Sequence, residues 1–186
     1  MRNQMLTQNK QNVSVQETAS LLLGFAKELR TSSCLSQAQL ASIMGLRSHG
    51  NINAIETGKI FPRLDTFLRI LSVFEYRLVI VRQDTTMPAP AIQGVKIRLA
   101  DSADRKAASE QEAIRLLQDA KKLRQNAGIS QQQLASMMGL KSHGNINAIE
   151  VGKVFPRIDS FLRYLAALQY TVAFHKTENF NDQVGH

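Results

Sequence analysis

A long internal repeat organises this chain of 186 residues. When the sequence is shifted by 94 positions, residues 36–65 match residues 130–159 at 24 of 30 positions, and most of the remaining differences are conservative. Weaker similarity extends on both sides, over about 26–76 and 120–170. A fixed period marks a duplicated structural unit, so the sequence predicts two copies of one unit of roughly 60 residues.

Positive charge is concentrated in these two repeats. Lys and Arg total 23 against 15 Asp and Glu, which gives a formal net charge of +8. Residues 24–83 carry +4 and residues 118–176 carry +5, whereas residues 84–117 are neutral. A basic surplus of this size predicts a polyanionic partner. Its confinement to the repeats argues against diffuse binding to an acidic membrane.

Composition also excludes several classes of protein. The single cysteine, Cys34, rules out an intrachain disulfide framework and a cysteine-based zinc cluster, and it fits a reducing compartment. No apolar run reaches the roughly 18 residues that span a bilayer, and the polar start lacks the apolar region of a secretory signal. We therefore expect a cytoplasmic protein with no membrane partner. The sequence shows no phosphate loop, nucleophile arrangement or metal-ligand spacing, so we expect neither an enzyme nor a cofactor or metal.

Local signals divide each repeat into four helices. Apolar spacing predicts the first helix over about 18–33 and its counterpart from near Ser109. Serine caps, turn glycines and prolines delimit the other three helices. In the first and second repeat these residues are Ser36 and Ser130 before the second helix, Gly45 and Gly139 after it, Ser48 and Ser142 opening the third helix, Gly58 and Gly152 after it, and Pro62 and Pro156 before the fourth.

Each repeat ends in a segment typical of a β-strand. The segments are YRLVIVR at 76–82 and YTVAFHK at 170–176, both rich in β-branched and aromatic residues. A lone strand is not stable, so these strands should pair with each other or with the same strands of a second chain. The alternating segment VKIRL at 95–99 is a candidate third strand.

The second and third helices of each repeat form a helix-turn-helix candidate. They are short, lie in a basic unit and are joined by a turn that contains glycine. Ala41 and Ala135 are small enough for the contact between the two helices. Isoleucines should hold the third helix on the core, namely Ile52, Ile55, Ile146 and Ile149.

These residues resemble the Xre/Cro family of prokaryotic and phage repressors. The family pattern has a Gln opening the motif, a Leu-Ala pair, a turn Gly and an Ile-Glu-x-Gly-Lys ending. The matching residues are Gln37, Leu40, Ala41, Gly45, Ile55, Glu56, Gly58 and Lys59, repeated as Gln131, Leu134, Ala135, Gly139, Ile149, Glu150, Gly152 and Lys153. The resemblance covers about 120 residues. It departs in one respect, because the span from Gly45 to Ile52 is one residue longer than usual.

The resemblance implies a mainly α-helical protein with two lambda-repressor-like domains of four or five helices. We expect a polar tail at 1–16, a first domain with its strand at 17–83, a linker at 84–108, a second domain with its strand at 109–177 and a tail at 178–186. The strands would form a small sheet. The resemblance also makes Glu56 and Glu150 ion-pair partners of Arg30 and Arg124, rather than catalytic residues.

In such repressors the second helix of the motif enters the major groove, where residues near its start meet base edges. The candidate base-reading residues are Ser48, His49, Gly50, Asn51, Asn53, Ser142, His143, Gly144, Asn145 and Asn147. Asparagine can pair with adenine through two hydrogen bonds. The candidate phosphate contacts are Gln37, Arg47, Lys59, Arg63, Gln131, Lys141, Lys153 and Arg157. The alternative is that the SHGN segments only cap a helix.

The sequence therefore predicts a sequence-specific DNA-binding transcriptional regulator, a repressor with two linked heads that read similar half-sites. Its partner would be double-stranded DNA with a palindromic or directly repeated operator. The terminal strands resemble those of HipB-type antitoxins, which pair between subunits, so the chain is either an internal pseudo-dimer or part of a homodimer. The alternative is an antitoxin or antiactivator that acts through a protein partner, such as a toxin, and represses its own operon. The family also implies a bacterial or phage-encoded protein.

Overall fold

The structure is a computed structural model that describes residues 2–46, 48–85, 97, 100–140 and 144–177, with side chains from residue 15 onward. Within these ranges one order of elements, four helices and a strand, occurs twice. The first set is α1 (Arg2–Ser32), α2 (Gln37–Ile43), α3 (Gly50–Glu56), α4 (Leu64–Val73) and β1 (Tyr76–Arg82). The second set is α5 (Ser102–Asn126), α6 (Gln131–Met137), α7 (Gly144–Glu150), α8 (Ile158–Ala167) and β2 (Tyr170–Lys176). The predicted mainly helical fold with a small sheet is confirmed.

Serine caps begin α2 and α6, as predicted. The hydroxyl of Ser36 accepts a 3.1 Å hydrogen bond from the Gln39 N–H, and the Gln39 side chain accepts one of 2.8 Å from the Ser36 N–H. Ser130 and Gln133 form the same reciprocal pair before α6. Such a capping box satisfies backbone donors that the first helical turn leaves unpaired. Gly45 ends the turn after α2 with a φ of 68°, which favours glycine.

Helix α5 begins earlier than the sequence predicts. It starts at Ser102 rather than near Ser109, so the linker expected at 84–108 is partly helical. The reason is an aspartate cap ahead of this helix: the Asp101 carboxylate accepts a 2.7 Å hydrogen bond from the Ala103 N–H. Aspartate is among the preferred residues at this position.

Helix α1 also begins earlier than predicted, at Arg2 rather than about Thr18. Most of the tail expected at 1–16 is therefore helical. Neither glycine nor proline interrupts residues 2–17, and Val15 is buried in the core. Polar composition suggested a tail, but it does not prevent a helix whose residues have adequate helix propensity.

Helix α3 begins at Gly50 and not at Ser48. The Ser48 hydroxyl accepts a 3.2 Å hydrogen bond from the Gly50 N–H, which forms a serine turn ahead of the helix. His49 occupies the capping position without a side-chain hydrogen bond. Helix α7 begins at the equivalent Gly144, and Ser142 lies outside the described residues.

Two other expectations concern segments that are largely or wholly outside the described residues. The candidate strand at 95–99 is the first of these, since only Ile97 of that segment is described. Ile97 has no regular secondary structure and packs against the core. The tail at 178–186 is the other. In the part of the chain that the structure covers, no helix combines the length and apolar character needed to cross a membrane.

The first helix of each repeat packs mainly on the fourth helix of the other repeat. Helix α1 makes its largest helix contact with α8, and α5 makes its largest with α4. This differs from the separate four-helix cores predicted for the two repeats. The reason is that seven of the ten residues of α4 are buried, so this helix needs neighbours on more than one face. The buried side chains of both repeats form one hydrophobic core.

Strands β1 and β2 pair with each other and form an antiparallel sheet. Their predicted bounds are confirmed. Val79 lies opposite Ala173 at the centre of the register, and these two residues are equivalent under the 94-residue repeat. Tyr76 lies opposite Lys176 at one end. Because the register is centred on equivalent residues, the sheet has local two-fold symmetry.

A second symmetric contact joins the segments that precede α4 and α8. The Leu64 N–H donates a 2.8 Å hydrogen bond to the Pro156 carbonyl, and the Ile158 N–H donates one of 2.9 Å to the Pro62 carbonyl. The paired segments and the sheet relate the two repeats in the same way, as two similar units that face each other.

Candidate nucleic-acid interface

Helices α2 and α3 pack against each other across a short glycine turn, as do α6 and α7. In the first pair, Ala41 and Ile52 are buried where the sequence places the contact, with exposed fractions of 3% and 1%. Ala135 and Ile146 are buried equally well in the second pair. This burial leaves the opposite side of α3 and of α7 facing solvent.

The predicted base-reading residues of the first repeat lie on that exposed side. Ser48, His49, Gly50, Asn51 and Asn53 are all exposed, at the start of α3 and along its first turns. They form a continuous polar surface, which we call the first tip.

The second repeat presents the equivalent surface, which we call the second tip. Gly144, Asn145 and Asn147 are exposed on α7. Ser142 and His143 were also predicted to read bases, and they lie outside the described residues. The described part of this tip has the same sequence as α3.

A glycine begins α3 although the fold does not require it there. A Cβ atom at Gly50 would meet only the Ser48 hydroxyl oxygen, at an ordinary contact distance of 3.5 Å, and the residue does not have a positive φ. The absent side chain therefore serves no packing purpose that this structure shows. It leaves the backbone open to close approach from outside.

Gln37 connects the first tip to a partly buried ion pair. Its amide nitrogen donates a 2.8 Å hydrogen bond to Oε2 of Glu56 and lies 3.5 Å from Oδ1 of Asn53. Arg30 binds the same carboxylate, with Nε 2.6 Å from Oε1 and Nη2 2.9 Å from Oε2. The Arg30–Glu56 pair that the family resemblance implies is thus present, and through Gln37 it orients a predicted base-reading side chain.

The second repeat has the same network with one more donor. Arg124 binds Glu150 at 2.6 and 2.9 Å, and Gln131 links Glu150 to Asn147 at 2.8 and 3.4 Å. The Tyr164 hydroxyl donates a further hydrogen bond of 2.7 Å to Oε1 of Glu150. The position equivalent to Tyr164 in the first repeat is an isoleucine. This carboxylate is therefore held more firmly than its counterpart.

The network shifts two pKa values in the second repeat. Burial alone would raise the pKa of Glu150, but hydrogen bonds from Arg124, Gln131 and Tyr164 outweigh it and hold that pKa below its ordinary value. Burial, together with the hydrogen bond to Glu150, raises the pKa of Tyr164 far above its ordinary value. At neutral pH the carboxylate is therefore charged and the phenol is a donor.

Cationic side chains surround the tips at two kinds of position. Lys59 and Lys153 are exposed immediately after the turn glycines that follow α3 and α7. Arg63 and Arg157 lie between the repeats, where their backbones form an antiparallel bridge. Two further predicted phosphate contacts, Arg47 and Lys141, are outside the described residues.

Each of the two bridging arginines also stacks on an aromatic ring of the other repeat. The Arg63 guanidinium lies 5.4 Å from the centre of the Phe155 ring, and that of Arg157 lies 5.9 Å from the centre of the Phe61 ring. Their side chains remain more than half exposed, at 57% and 55%. Arg63 also pairs with Asp65 at 3.0 Å, and Arg157 with Asp159 at 3.5 Å. These arginines therefore join the repeats while their partly paired side chains stay accessible to solvent.

Sequence reasoning missed three features of this surface. It gave Gln37 and Gln131 only a phosphate-binding role, although their amides bridge the tip to the ion pair. It assigned no role to Tyr164 and did not foresee the arginine–aromatic contacts. No periodic signal marks such contacts, because each depends on the angle at which distant segments cross. The difference between Tyr164 and its isoleucine counterpart was the one visible clue.

Comparison with known proteins places one helix-turn-helix domain in the second repeat. The helix-turn-helix family model matches residues 121–174, from within α5 to β2. Searches of the curated proteins and of the solved structures found no match. Residues 121–174 thus form a helix-turn-helix domain, and this supports a DNA-binding transcription regulator in general.

Proposed function

We propose that the chain is a sequence-specific repressor with two helix-turn-helix heads, which read similar half-sites of one palindromic operator. The observation that carries this proposal is the presence of two tips of like sequence in repeats that local two-fold symmetry relates. The family match supports the second head directly. The identity of 24 of 30 positions extends the same role to the first.

The tips are suited to reading bases in the major groove. Asn51, Asn53, Asn145 and Asn147 present amides that can pair with the N6 and N7 atoms of adenine. Beside the first pair, Ser48 and His49 offer further hydrogen-bonding groups, and the sequence supplies Ser142 and His143 as their counterparts. Gly50 and its counterpart Gly144 let the backbone come close to DNA. His49 makes no side-chain capping bond, which supports base reading, whereas the Ser48 hydroxyl does accept a hydrogen bond from the Gly50 N–H at the start of α3.

Phosphate contacts would fix the position of each head without reading sequence. Lys59 and Lys153 stand beside the tips, and Arg47 and Lys141 remain sequence-based candidates for the same role. Arg63 and Arg157, between the repeats, would meet the operator near its centre.

Gln37 and Gln131 were predicted to bind phosphates, and we now assign their side chains a different first role. Because each amide faces two protein acceptors, the glutamate and the asparagine, its main function would be to hold Asn53 or Asn147 in position. A direct phosphate contact by these two residues remains a prediction.

The chain would act as an internal pseudo-dimer. Repressors with this motif place two recognition helices in successive major grooves, roughly 34 Å apart. Here one chain supplies both helices, and three symmetric contacts join its halves: the β1–β2 sheet, the hydrogen bonds at Pro62 and Pro156, and the arginine–aromatic pairs. A second chain is not needed to complete the pair of heads.

Selection of bound sequences from random DNA, combined with light scattering of the protein and its complex, tests this proposal. We expect a palindrome with half-site centres one helical turn apart, about 10 base pairs, bound by one chain. A directly repeated site, or two chains per site, would contradict the pseudo-dimer. If no sequence is enriched and a stoichiometric protein partner co-purifies, the antitoxin or antiactivator alternative replaces the repressor.

A further inference from the structure

A cavity of about 440 Å³ opens between α5 and the two-stranded sheet, on the side of the second repeat. Val79 and Ile80 of β1 and Tyr170 of β2 line one wall, and Arg115, Asp119 and Lys122 lie on the helix wall. We call this the α5 cavity. Its volume lies within the range of small-molecule sites.

The same position in the first repeat is filled by an aromatic ring. Phe25 of α1 packs there, with its ring centre 4.1 Å from that of Phe174 and 5.4 Å from that of Tyr76 in an edge-to-face arrangement. Under the 94-residue repeat, Phe25 corresponds to Asp119 and Phe174 corresponds to Ile80. The α5 cavity therefore exists because Phe25 of the first repeat and Phe174 of the second have as their counterparts an acid, Asp119, and an aliphatic side chain, Ile80.

The tyrosine that Phe25 contacts is present in both repeats, as Tyr76 and Tyr170, but an aromatic ring covers it only in the first. Tyr76 is buried beneath Phe25 with 3% exposure, whereas its counterpart Tyr170 is half-buried at the cavity. A planar ring bound in the cavity could pack on Tyr170 as Phe25 packs on Tyr76. Edge-to-face contacts of this kind are favourable beyond the apolar area they bury.

Asp119 indicates which charge a ligand of the α5 cavity should carry. Its carboxylate lies 3.5 Å from Nη1 of Arg115 and 3.4 Å from Nζ of Lys122, distances at the long limit for hydrogen bonds. Arg115 is bound much more closely by Glu112, at 2.5 and 2.8 Å. The Asp119 carboxylate therefore keeps acceptor capacity at the point where the missing ring would begin, and a ligand cation would complement it.

We propose that the α5 cavity binds a small aromatic compound that carries an ammonium group. The ring would occupy the place that Phe25 fills in the other repeat, and the ammonium group would bind Asp119. The site would regulate DNA binding, because α5 also carries Arg124, whose ion pair with Glu150 holds α7. This regulatory consequence rests on the proposed repressor function, whereas ligand binding does not.

Ligand-observed NMR titration of the full chain with 2-phenylethylamine, in the absence of DNA, tests the site. We expect saturable binding that is at least about tenfold weaker for phenylacetate and for 2-cyclohexylethylamine, which reverse the charge and remove the ring face respectively. Absence of saturable binding of 2-phenylethylamine, or equal binding of all three probes, would overturn the proposal. Preferential binding of phenylacetate would overturn the assignment of charge.

Three substitutions on α5 provide the matched test. Asp119→Phe should restore the packing seen at Phe25, abolish binding of 2-phenylethylamine and raise the Tm. Gln118→Phe places the same ring on the exposed side of α5 and should leave the affinity unchanged. Asp119→Asn keeps the cavity open and should weaken binding about tenfold. If Asp119→Phe folds normally and still binds the probe, the site is elsewhere.

The regulatory step has its own measurement. Saturating 2-phenylethylamine should change the affinity of the wild-type chain for the selected operator and should not affect the Asp119→Phe variant. If the probe binds but operator affinity does not change, the binding site is supported and its regulatory role is refuted. If the chain selects no DNA sequence, the proposed function is refuted, but the probe titration still tests the ligand site independently.

Discussion

Tyr164 donates a 2.7 Å hydrogen bond to Oε1 of Glu150, and this bond has no equivalent in the first repeat, where Ile70 takes the place of the tyrosine. Glu150 is 2% exposed and also binds the Arg124 guanidinium. Because a buried charge depends on its full set of hydrogen bonds, the phenol contributes to keeping α7 fixed on the core. The two repeats are therefore alike in the sequence of their tips and differ in how firmly those tips are supported.

Tyr164→Phe should lower the free energy of unfolding by about 1.5–3 kcal/mol, because a hydrogen bond to a charged group is lost while the ring volume is kept. Urea denaturation followed by circular dichroism measures this loss. Tyr170→Phe, at the half-buried tyrosine of β2, is the matched control and should change stability by less than about 0.5 kcal/mol. Equal losses in the two variants would contradict the special role of Tyr164.

Acidification should remove the stabilisation that Glu150 provides. Its pKa in the folded chain lies below the ordinary value of 4.5, so its contribution is complete above that value and is lost as the pH falls through the lower, folded-state pKa. At pH 7, Glu150→Gln should cost about 3–5 kcal/mol, since Arg124 is then left buried without its counter-ion. The difference from the wild type should shrink below pH 4.5.

Urea titrations at a series of pH values check this dependence. Glu28→Gln, at an exposed site on α1, is the control and should have little effect on stability at any pH. A wild-type advantage over Glu150→Gln that stays constant down to pH 3 would show that the carboxylate is not the source of the stabilisation.

Short-range signals were sufficient for most of the secondary structure. Ser36 and Ser130 cap their helices by bonds to residues three positions away, and the strands ending at Arg82 and Lys176 are marked by their own composition. The family resemblance predicts the asparagines of the tips near the start of the motif's second helix, and the structure has them exposed there. In each case the decisive interaction lies within one turn or one strand.

Long-range packing was not predictable from those signals. The amphipathic face of α1 shows that the helix needs a partner, but it does not distinguish α4 of its own repeat from α8 of the other. The roles of Gln37 and Tyr164 likewise depend on how separate helices cross, because each residue binds a glutamate on another helix. The replacement of Phe25 by Asp119 was visible in the repeat alignment, although its consequence, the α5 cavity, requires the position of the sheet.

Gly50→Ala should separate DNA binding from folding. The structure has room for the added methyl group, so stability should rise by up to about 1 kcal/mol as the backbone loses flexibility in the unfolded chain. Operator affinity should fall about tenfold or more if DNA approaches the backbone there. Gly24→Ala, within α1 and with no atom near its added carbon, should stabilise the chain without changing affinity. Undiminished affinity of Gly50→Ala would refute close approach.

Paired substitutions in the two heads should distinguish base reading from phosphate binding. Asn51→Ala with Asn145→Ala should relax selectivity at symmetric operator positions by about 1–3 kcal/mol each and leave nonspecific affinity nearly unchanged. Lys59→Ala with Lys153→Ala should weaken binding to every sequence and reduce the salt slope by about 2, one phosphate contact for each lysine. Fluorescence anisotropy with operator and scrambled DNA at several salt concentrations measures both effects. A uniform loss in both pairs would remove the asparagines from base reading.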